Sequence, residues 1–432
     1  MEHTNHPRAG IVGAGIAGLS AAIGLRRAGW QVEVFEKSTF KNEVGAAITI
    51  PPNATLPLSR WGFDFKKGGA VQNLSRRFVS GLDLKMITNQ QYPEIEEEFG
   101  SPSLTIHRVD LHQGLRKLAI DPDHTKGIPV KIRLGAKVVD VVPDTRTLYL
   151  EDGTSIENDL IIVADGSHSY LTQKVNPNAG SLEPTGRSVY RCLVPMQRLK
   201  DDPELWSFWD GETPGFIGFM TKDPHVLFVA YSCRGDEIMN YAIVHDTQKG
   251  EGEEDLWNAP ASKKQVLEEL ASFHPGVQKL MDPVDEGEIA VYHLWKRQPL
   301  ETFVNGSTAL VGDAAHVMLP THAAGGSIAI ESGGILQVLF SGITPGDHAT
   351  IEQRLKIFDK LRVPRCNLAM ILSNGGPWAL HDPEVEKQIR RFYDGPLPSK
   401  EDSMTWERPM RELLFHYNAF EVAEKALQGT QD

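Results

Sequence analysis

The chain has 432 residues, 41% hydrophobic and 23% charged, the composition of a globular protein of two or three structural units with a core that needs no metal or disulfide support. Its 44 basic and 57 acidic residues give a formal net charge of −13, which argues against binding nucleic acid or anionic membranes through bulk charge. Cys192, Cys233 and Cys366 have neither CxxC nor metal-ligand spacing, which suits a reducing, cytoplasmic location.

The apolar run from Ile11 to Leu25 is broken by Gly13, Gly15 and Gly18, so it reads as strand plus helix rather than as a signal peptide, and no stretch is long enough for a membrane span. Residues 9–14 (AGIVGA) are small and apolar, as a strand buried on both faces requires. Residues 16–28 place Ile16, Leu19, Ala22, Ile23 and Ala28 at helical spacing, and Gly29 stops the helix. The run QVEVF (31–35) completes a β-α-β unit. Residues 49–103 are rich in proline and charge; Arg76-Arg77 and the acidic run Glu94 to Glu98 read as solvated loop or edge material. A short strand and a helix follow over 104–119. Strands and turns alternate from Lys131 to Leu150, and the buried strand DLIIVA (159–164) ends at Asp165-Gly166.

Between 180 and 300 the pattern changes. The strand-like pieces SVYRCLVP, GFIGFMT and HVLFVAYS are separated by Gly, Pro and Asp, and a helical stretch spans 255–274, which predicts a separate antiparallel sheet with helical cover. TALVG (308–312) is one more buried strand, followed by a glycine-rich loop and a helix from about Gly326. Residues 351–432 are mainly helical, with breaks at Pro364, Gly375-Gly376-Pro377 and Pro396–Pro398.

Gly13-Ala14-Gly15-Ile16-Ala17-Gly18 sits between strand and helix. Gly13 permits the tight turn, Gly15 lets backbone approach a pyrophosphate, and Gly18 lets helix and strand pack closely. The helix N-terminus then presents free N–H groups to the phosphates. Glu36, at the end of the second strand, is placed to accept hydrogen bonds from ribose hydroxyls. Together these predict dinucleotide binding, without separating FAD from NAD.

A second glycine-aspartate pair, Gly312-Asp313 in VGDAAHVMLP, follows a buried strand far downstream. It resembles the second FAD fingerprint of flavoprotein hydroxylases, and Asp165-Gly166-Ser167-His168-Ser169 resembles their DG motif. Relatives carry arginine three positions after that serine, where this chain has Thr172. Gly45 to Ile48 with Pro52 to Ala54, Arg108 in HRVDLHQGL, and the stretch Leu361 to Cys366 resemble further family segments in the expected order. The chain is thereby identified as similar to the group A FAD-dependent monooxygenases, in the salicylate-hydroxylase-like branch that includes fungal natural-product enzymes.

The resemblance implies an α/β fold. A discontinuous Rossmann-like FAD-binding domain would take residues 1–75, 100–178 and 290–345. An antiparallel-sheet substrate domain would take 76–99 and 179–289, and a helical C-terminal region 346–432. FAD would be held by Gly13, Gly15, Gly18, Glu36, Ala47, Arg108, Asp165, Asp313, Gly325 and Gly326, with Asp313 on the ribityl chain and Gly325-Gly326 beside the ring. At that ring edge a helix N-terminus can also stabilise negative charge. NAD(P)H would dock transiently, and oxygen would react at the flavin C4a carbon to give a hydroperoxide that hydroxylates or epoxidises a small aromatic or alkaloid-like substrate. Arg191 and Tyr231 are the residues expected to act on that substrate, against the alternative that each is an edge-strand residue with a polar tip at the surface. His316 reads as a loop histidine capping backbone, and Trp206, Trp209 and Trp295 as pocket lining or core. A monomer or homodimer is expected. An FAD-dependent dehydrogenase or reductase without oxygen insertion, and a flavin-binding protein without turnover, are the remaining readings.

Overall fold

The computed structural model describes residues 6–40, 45–222, 225–248 and 259–429. Two large sheets organise them. The first has six strands in the order Val304–Asn305, Thr308–Leu310, Leu160–Val163, Arg8–Val12, Gln31–Glu36, Lys131–Leu134. Its inner junctions are parallel and only the terminal hairpin is antiparallel. Arg8–Val12 lies between Leu160–Val163 and Gln31–Glu36, which satisfy both of its edges, and Ala9, Ile11 and Val12 are buried in the layers packed on the sheet.

The helix Ile16–Arg27 returns across this sheet and packs against the helix Ala324–Leu339. The two approach at backbone contact. A Cβ on Gly24 would lie 2.1 Å from the Gly333 carbonyl oxygen, and one on Gly333 would lie 2.4 Å from that of Ser20. Neither neighbour is a flexible side chain, so the helices would have to separate. Gly333→Ala is expected to cost about 1–3 kcal/mol of stability, read as a lowered denaturation midpoint; an unchanged midpoint would show that the helices can slide apart without loss.

The second sheet has eight strands, in the order Ala259–Ala261, Ile289–Lys296, Glu183–Pro195, Ile238–Asp246, Leu227–Cys233, Gly215–Met220, Ser75–Ser80, Met86–Gln91. It is antiparallel except where Gly215–Met220 runs parallel to Ser75–Ser80. Ile289–Lys296 pairs within this sheet, from Arg191 opposite Ala290 to Glu183 opposite Lys296, so a boundary at residue 290 cuts off its last strand too early. The helix expected over 255–274 is confined to Lys263–Glu269, where a reciprocal Ser262–Gln265 capping box sets its start; Ala259–Ala261 is a strand, and 255–258 lie outside the described residues.

Two other expectations change. Residues 49–103 hold more order than their prolines suggest: Pro52 opens the buried helix Pro52–Trp61, where proline's missing N–H costs nothing. Arg76 and Arg77 are buried in Ser75–Ser80 rather than solvated. Pro364 does not break its helix, which runs unbroken over His348–Gly375. Arg362 and Arg365, on either side of the proline, are anchored to the buried Glu331, and these tertiary contacts outweigh the lost hydrogen bond. Gly376, at φ +85°, then ends the helix.

Candidate active site

A cavity of about 670 Å³ opens between the two sheets. Gly15 to Ala17 of the first glycine loop and Gly312-Asp313 of the second both line it. The loops touch: a Cβ on Gly312 would sit 2.4 Å from the Ala17 Cβ. Segments nearly the whole length of the nucleotide-binding region apart therefore grip one space.

The glycines divide their tasks as the spacing predicts. Gly13 has φ +94°, and a Cβ there would lie 2.5 Å from the Ala164 oxygen. A Cβ on Gly18 would lie 1.9 Å from the Gly13 oxygen, so helix and turn are packed backbone to backbone. At Gly15 nothing lies within 4 Å of a Cβ, which leaves a cradle where a ligand can reach the main chain. Glu36 plays a part that sequence reasoning missed. Its Oε2 accepts the Ala14 N–H (2.8 Å) and its Oε1 accepts the Ser38 N–H (2.7 Å), so it clamps the turn from the second strand. His112 donates from Nε2 to the Ala14 oxygen (2.7 Å) and so holds the next peptide of the same turn.

Asp313 is the first residue of the short helix Asp313–His316, whose N-cap is Gly312. Its carboxylate caps no backbone and makes no hydrogen bond to any described residue; it opens onto the cavity although protein surrounds it. Burial pushes its pKa up, and the charge of Arg108, also on the cavity wall, opposes that rise. The following helix starts at Ala324, two residues before the glycine expected to open it, because Ala323 turns the chain with φ +54°. Gly325 and Gly326 thus form its first turn, where N–H groups have no partner within the helix, and both face the cavity.

The third loop, Asp165 to Ser169, reaches the cavity through Gly166. Asp165 Oδ1 is buried without a partner, and burial raises its pKa. Thr172 turns inward and donates to the Ala314 oxygen (2.9 Å). The guanidinium absent from position 172 arrives from elsewhere: Arg297, just past Ile289–Lys296, donates to the oxygens of Ala314 (3.2 Å) and Ser167 (3.4 Å). It ties the second and third loops together, a role with no signal in local sequence.

On the opposite wall, Arg191 faces the cavity with its guanidinium 5.5 Å over the Tyr292 ring, and its Nε is buried without a partner. Tyr231 lines the same cavity. Its hydroxyl donates to the Ala47 oxygen (2.7 Å), while the Ala47 N–H donates to Asn240 Oδ1 (3.1 Å). The two side chains pin the Ala47 peptide from the substrate sheet, and burial pushes the Tyr231 pKa up to about 12, so the phenol keeps its proton. Asn240 was invisible to sequence reasoning, as was Arg76, which lines the cavity from Ser75–Ser80. Trp206, Trp209 and Trp295 do not line it. His316 does not cap backbone: both ring nitrogens are buried without partners, the ring lies against Phe303, and burial brings its pKa down to about 4, which keeps it neutral.

Fold and site define a dinucleotide-binding oxidoreductase whose second glycine-aspartate loop suits a flavin. A family model described as FAD binding domain matches residues 123–338, half of the chain, and one described as pyridine nucleotide-disulphide oxidoreductase matches 8–189. The chain is 32% identical to the FAD-dependent monooxygenase cfoG of Aspergillus candidus, over 97% of its own length and 94% of that protein's. It is 29% identical to hispidin-3-hydroxylase of Neonothopanus nambi, over 97% and 95%. Among solved structures, the salicylate hydroxylase substrate complex shares the fold with a TM-score of 0.73 at 22% identity, covering 98% of each chain. The chain belongs to the FAD-dependent monooxygenases.

Proposed function

We propose that this FAD-dependent monooxygenase inserts one oxygen atom into a small aromatic or alkaloid-like substrate, by hydroxylation or epoxidation, in natural-product metabolism. The observation that carries the reading is the meeting of the Gly15 and Asp313 loops in one cavity whose far wall is the substrate sheet. The residues fit the cofactor: an open cradle at Gly15, the charge of Arg108, and an unpartnered carboxylate at Asp313. Bound FAD supplies electron transfer from NAD(P)H and the activation of oxygen.

The chain's own residues do the rest. The amides of Gly15 to Ala17, with Arg108, hold the pyrophosphate. Asp313 accepts hydrogen bonds from the ribityl hydroxyls. The Gly325 and Gly326 amides and the helix behind them stabilise negative charge at the edge of the ring. Tyr231 and Asn240 fix Ala47 beside the same space. Arg191 holds substrate in register through its planar guanidinium fork. The apolar walls from Val189, Phe216 and Val229 exclude water. Free, buried cysteines support a reducing cytoplasm, no helix among the described residues is long and apolar enough to cross a membrane, and a monomer or homodimer suffices for the site.

The test is direct. Purified protein is expected to show flavin absorbance, and NADPH consumption should rise with an accepted aromatic and yield an oxygenated product. Substrate-stimulated NADPH oxidation without such a product would favour a reductase on the same fold.

A further inference from the structure

Seven arginines are buried among the described residues: Arg26, Arg76, Arg77, Arg297, Arg362, Arg365 and Arg411. A buried guanidinium is expected to have acceptors, because desolvating it unpaired is expensive. Six obey. Arg26 serves the carbonyls of the 118–127 segment, Arg297 those of Ser167 and Ala314, and Arg411 that of Trp406. Arg362 and Arg365 share Glu331, and Arg77 pairs with Glu212 at 3.0 Å.

Arg76 does not. It is 8% exposed, its Nε is buried without a partner, and it forms no hydrogen bond or ion pair with any described residue. Its contacts are aromatic: Cζ lies 4.1 Å over the Phe216 ring, 5.3 Å from Phe78 and 5.4 Å from Trp406. The titratable groups that act on it or feel it, Tyr92, Tyr231 and His322, are all uncharged at neutral pH. Burial draws its own pKa down to about 10, so it is still a cation there. Arg76 lines the main cavity, and both it and Arg191 act electrostatically on the Tyr231 hydroxyl, which puts the two guanidinium groups on one part of the wall. Of the other charges on that wall, Arg187 is paired with Asp246 at 2.6 Å, and Arg108 faces Asp313, the one carboxylate among the described lining residues. The missing counter-charge at Arg76 is therefore supplied by none of the described protein groups.

We infer that Arg76 is the anion anchor of the substrate subsite, so that the substrate is a planar aromatic bearing an oxyanion, a carboxylate or an ionised phenol, seated on the Arg76 fork and against Phe216 and Phe78. The fork donates in-plane to two oxygens or to one, and the neighbouring rings give the aromatic body its apolar bed. The cation costs the empty protein stability and returns it on binding, which makes Arg76 a specificity determinant rather than a structural residue. The assignment rests on the monooxygenase reading only for calling the bound anion a substrate.

Calorimetric titration of the full chain, purified after incubation with FAD, with benzoate, 4-nitrophenolate and neutral benzamide tests it. At least one anion should bind more tightly than benzamide, and which anion is preferred separates carboxylate from phenolate. Arg76→Met should weaken anion binding roughly ten- to a hundred-fold and leave benzamide unchanged. Arg76→Lys should retain part of the anion preference, and Arg76→Met should melt at or above the wild-type temperature. The proposal is overturned if wild type shows no anion preference, if Arg76→Met keeps it, or if Arg76→Met melts well below wild type, which would make the side chain structural. Flavin absorbance of the same samples reports on the other reading separately. A colourless chain that still prefers anions through Arg76 would sink the flavin assignment alone; a yellow protein indifferent to Arg76→Met would sink this one alone.

Discussion

Replacing Glu331 by alanine should lower the stability of the folded chain by about 3–5 kcal/mol. Glu331 lies on Ala324–Leu339 and is fully buried. Its carboxylate takes Arg362 Nη1 at 2.8 Å, Arg365 Nη2 at 2.7 Å and Asn53 Nδ2 at 2.6 Å. Burial alone would push its pKa up; Arg365 and Arg362 outweigh that and hold it below the usual carboxylate value. Its contribution is therefore present above the unfolded carboxylate range and is lost as pH falls through the depressed folded value. Removing it leaves two guanidinium groups in the core with carbonyl partners but no counter-charge. Glu331→Gln keeps the shape and loses the charge, and should fall between. The same knot joins Pro52–Trp61, His348–Gly375 and the helix that carries Gly325-Gly326, so flavin retention should decline with stability. Chemical denaturation of wild type and both variants at neutral pH checks the ordering; a midpoint for Glu331→Ala equal to wild type would show that the triad is neutral in energy.

What the sequence makes readable follows from how locally each feature is determined. The glycines of the first loop are legible because each answers a backbone constraint within a few residues: a turn at Gly13, an open face at Gly15, contact with Gly13 at Gly18. Asp313 is legible through the resemblance of Gly312-Asp313 to the second fingerprint of flavoprotein hydroxylases, since by itself an aspartate there could equally cap a helix or a turn. Glu36 was located but its partners were not, since its clamp on Ala14 depends on how strand and loop meet. Arg76 and Arg77 misled because adjacent charges usually face water; here Arg77 is neutralised by Glu212 far along the chain and Arg76 looks into the cavity. Arg297 and Asn240 carry no local signal at all, because each acts on a loop brought to it only by the closing of the sheets. Pro364 was misread for the same reason: the contacts that carry the helix through it lie on another helix.

Asp313→Ala should purify largely without FAD, with affinity for the cofactor reduced roughly ten- to a hundred-fold, the worth of a hydrogen bond to a charged group. NADPH oxidation should fall in step and recover in part when excess FAD is added. The argument is that this carboxylate has no task inside the protein: it caps no helix and bonds to no described residue, yet it stands where the two glycine loops meet. A structural aspartate, when removed, lowers stability; this one should do the reverse. Its folded pKa is raised by burial, only partly offset by Arg108, so its favourable contribution exists below the unfolded value and is lost as pH rises through the folded one. The side chain opens to the cavity and is exposed to water there, so the net cost of its charge to the empty protein at neutral pH is small, and Asp313→Asn, stripped of FAD, should melt at or slightly above the temperature of wild type stripped in the same way. Weak cofactor retention combined with an undiminished apo melting point is a pair of results that a capping or salt-bridging aspartate cannot produce. Normal FAD content in Asp313→Ala would instead remove the second loop from the binding site and leave its contact with Ala17 as packing alone.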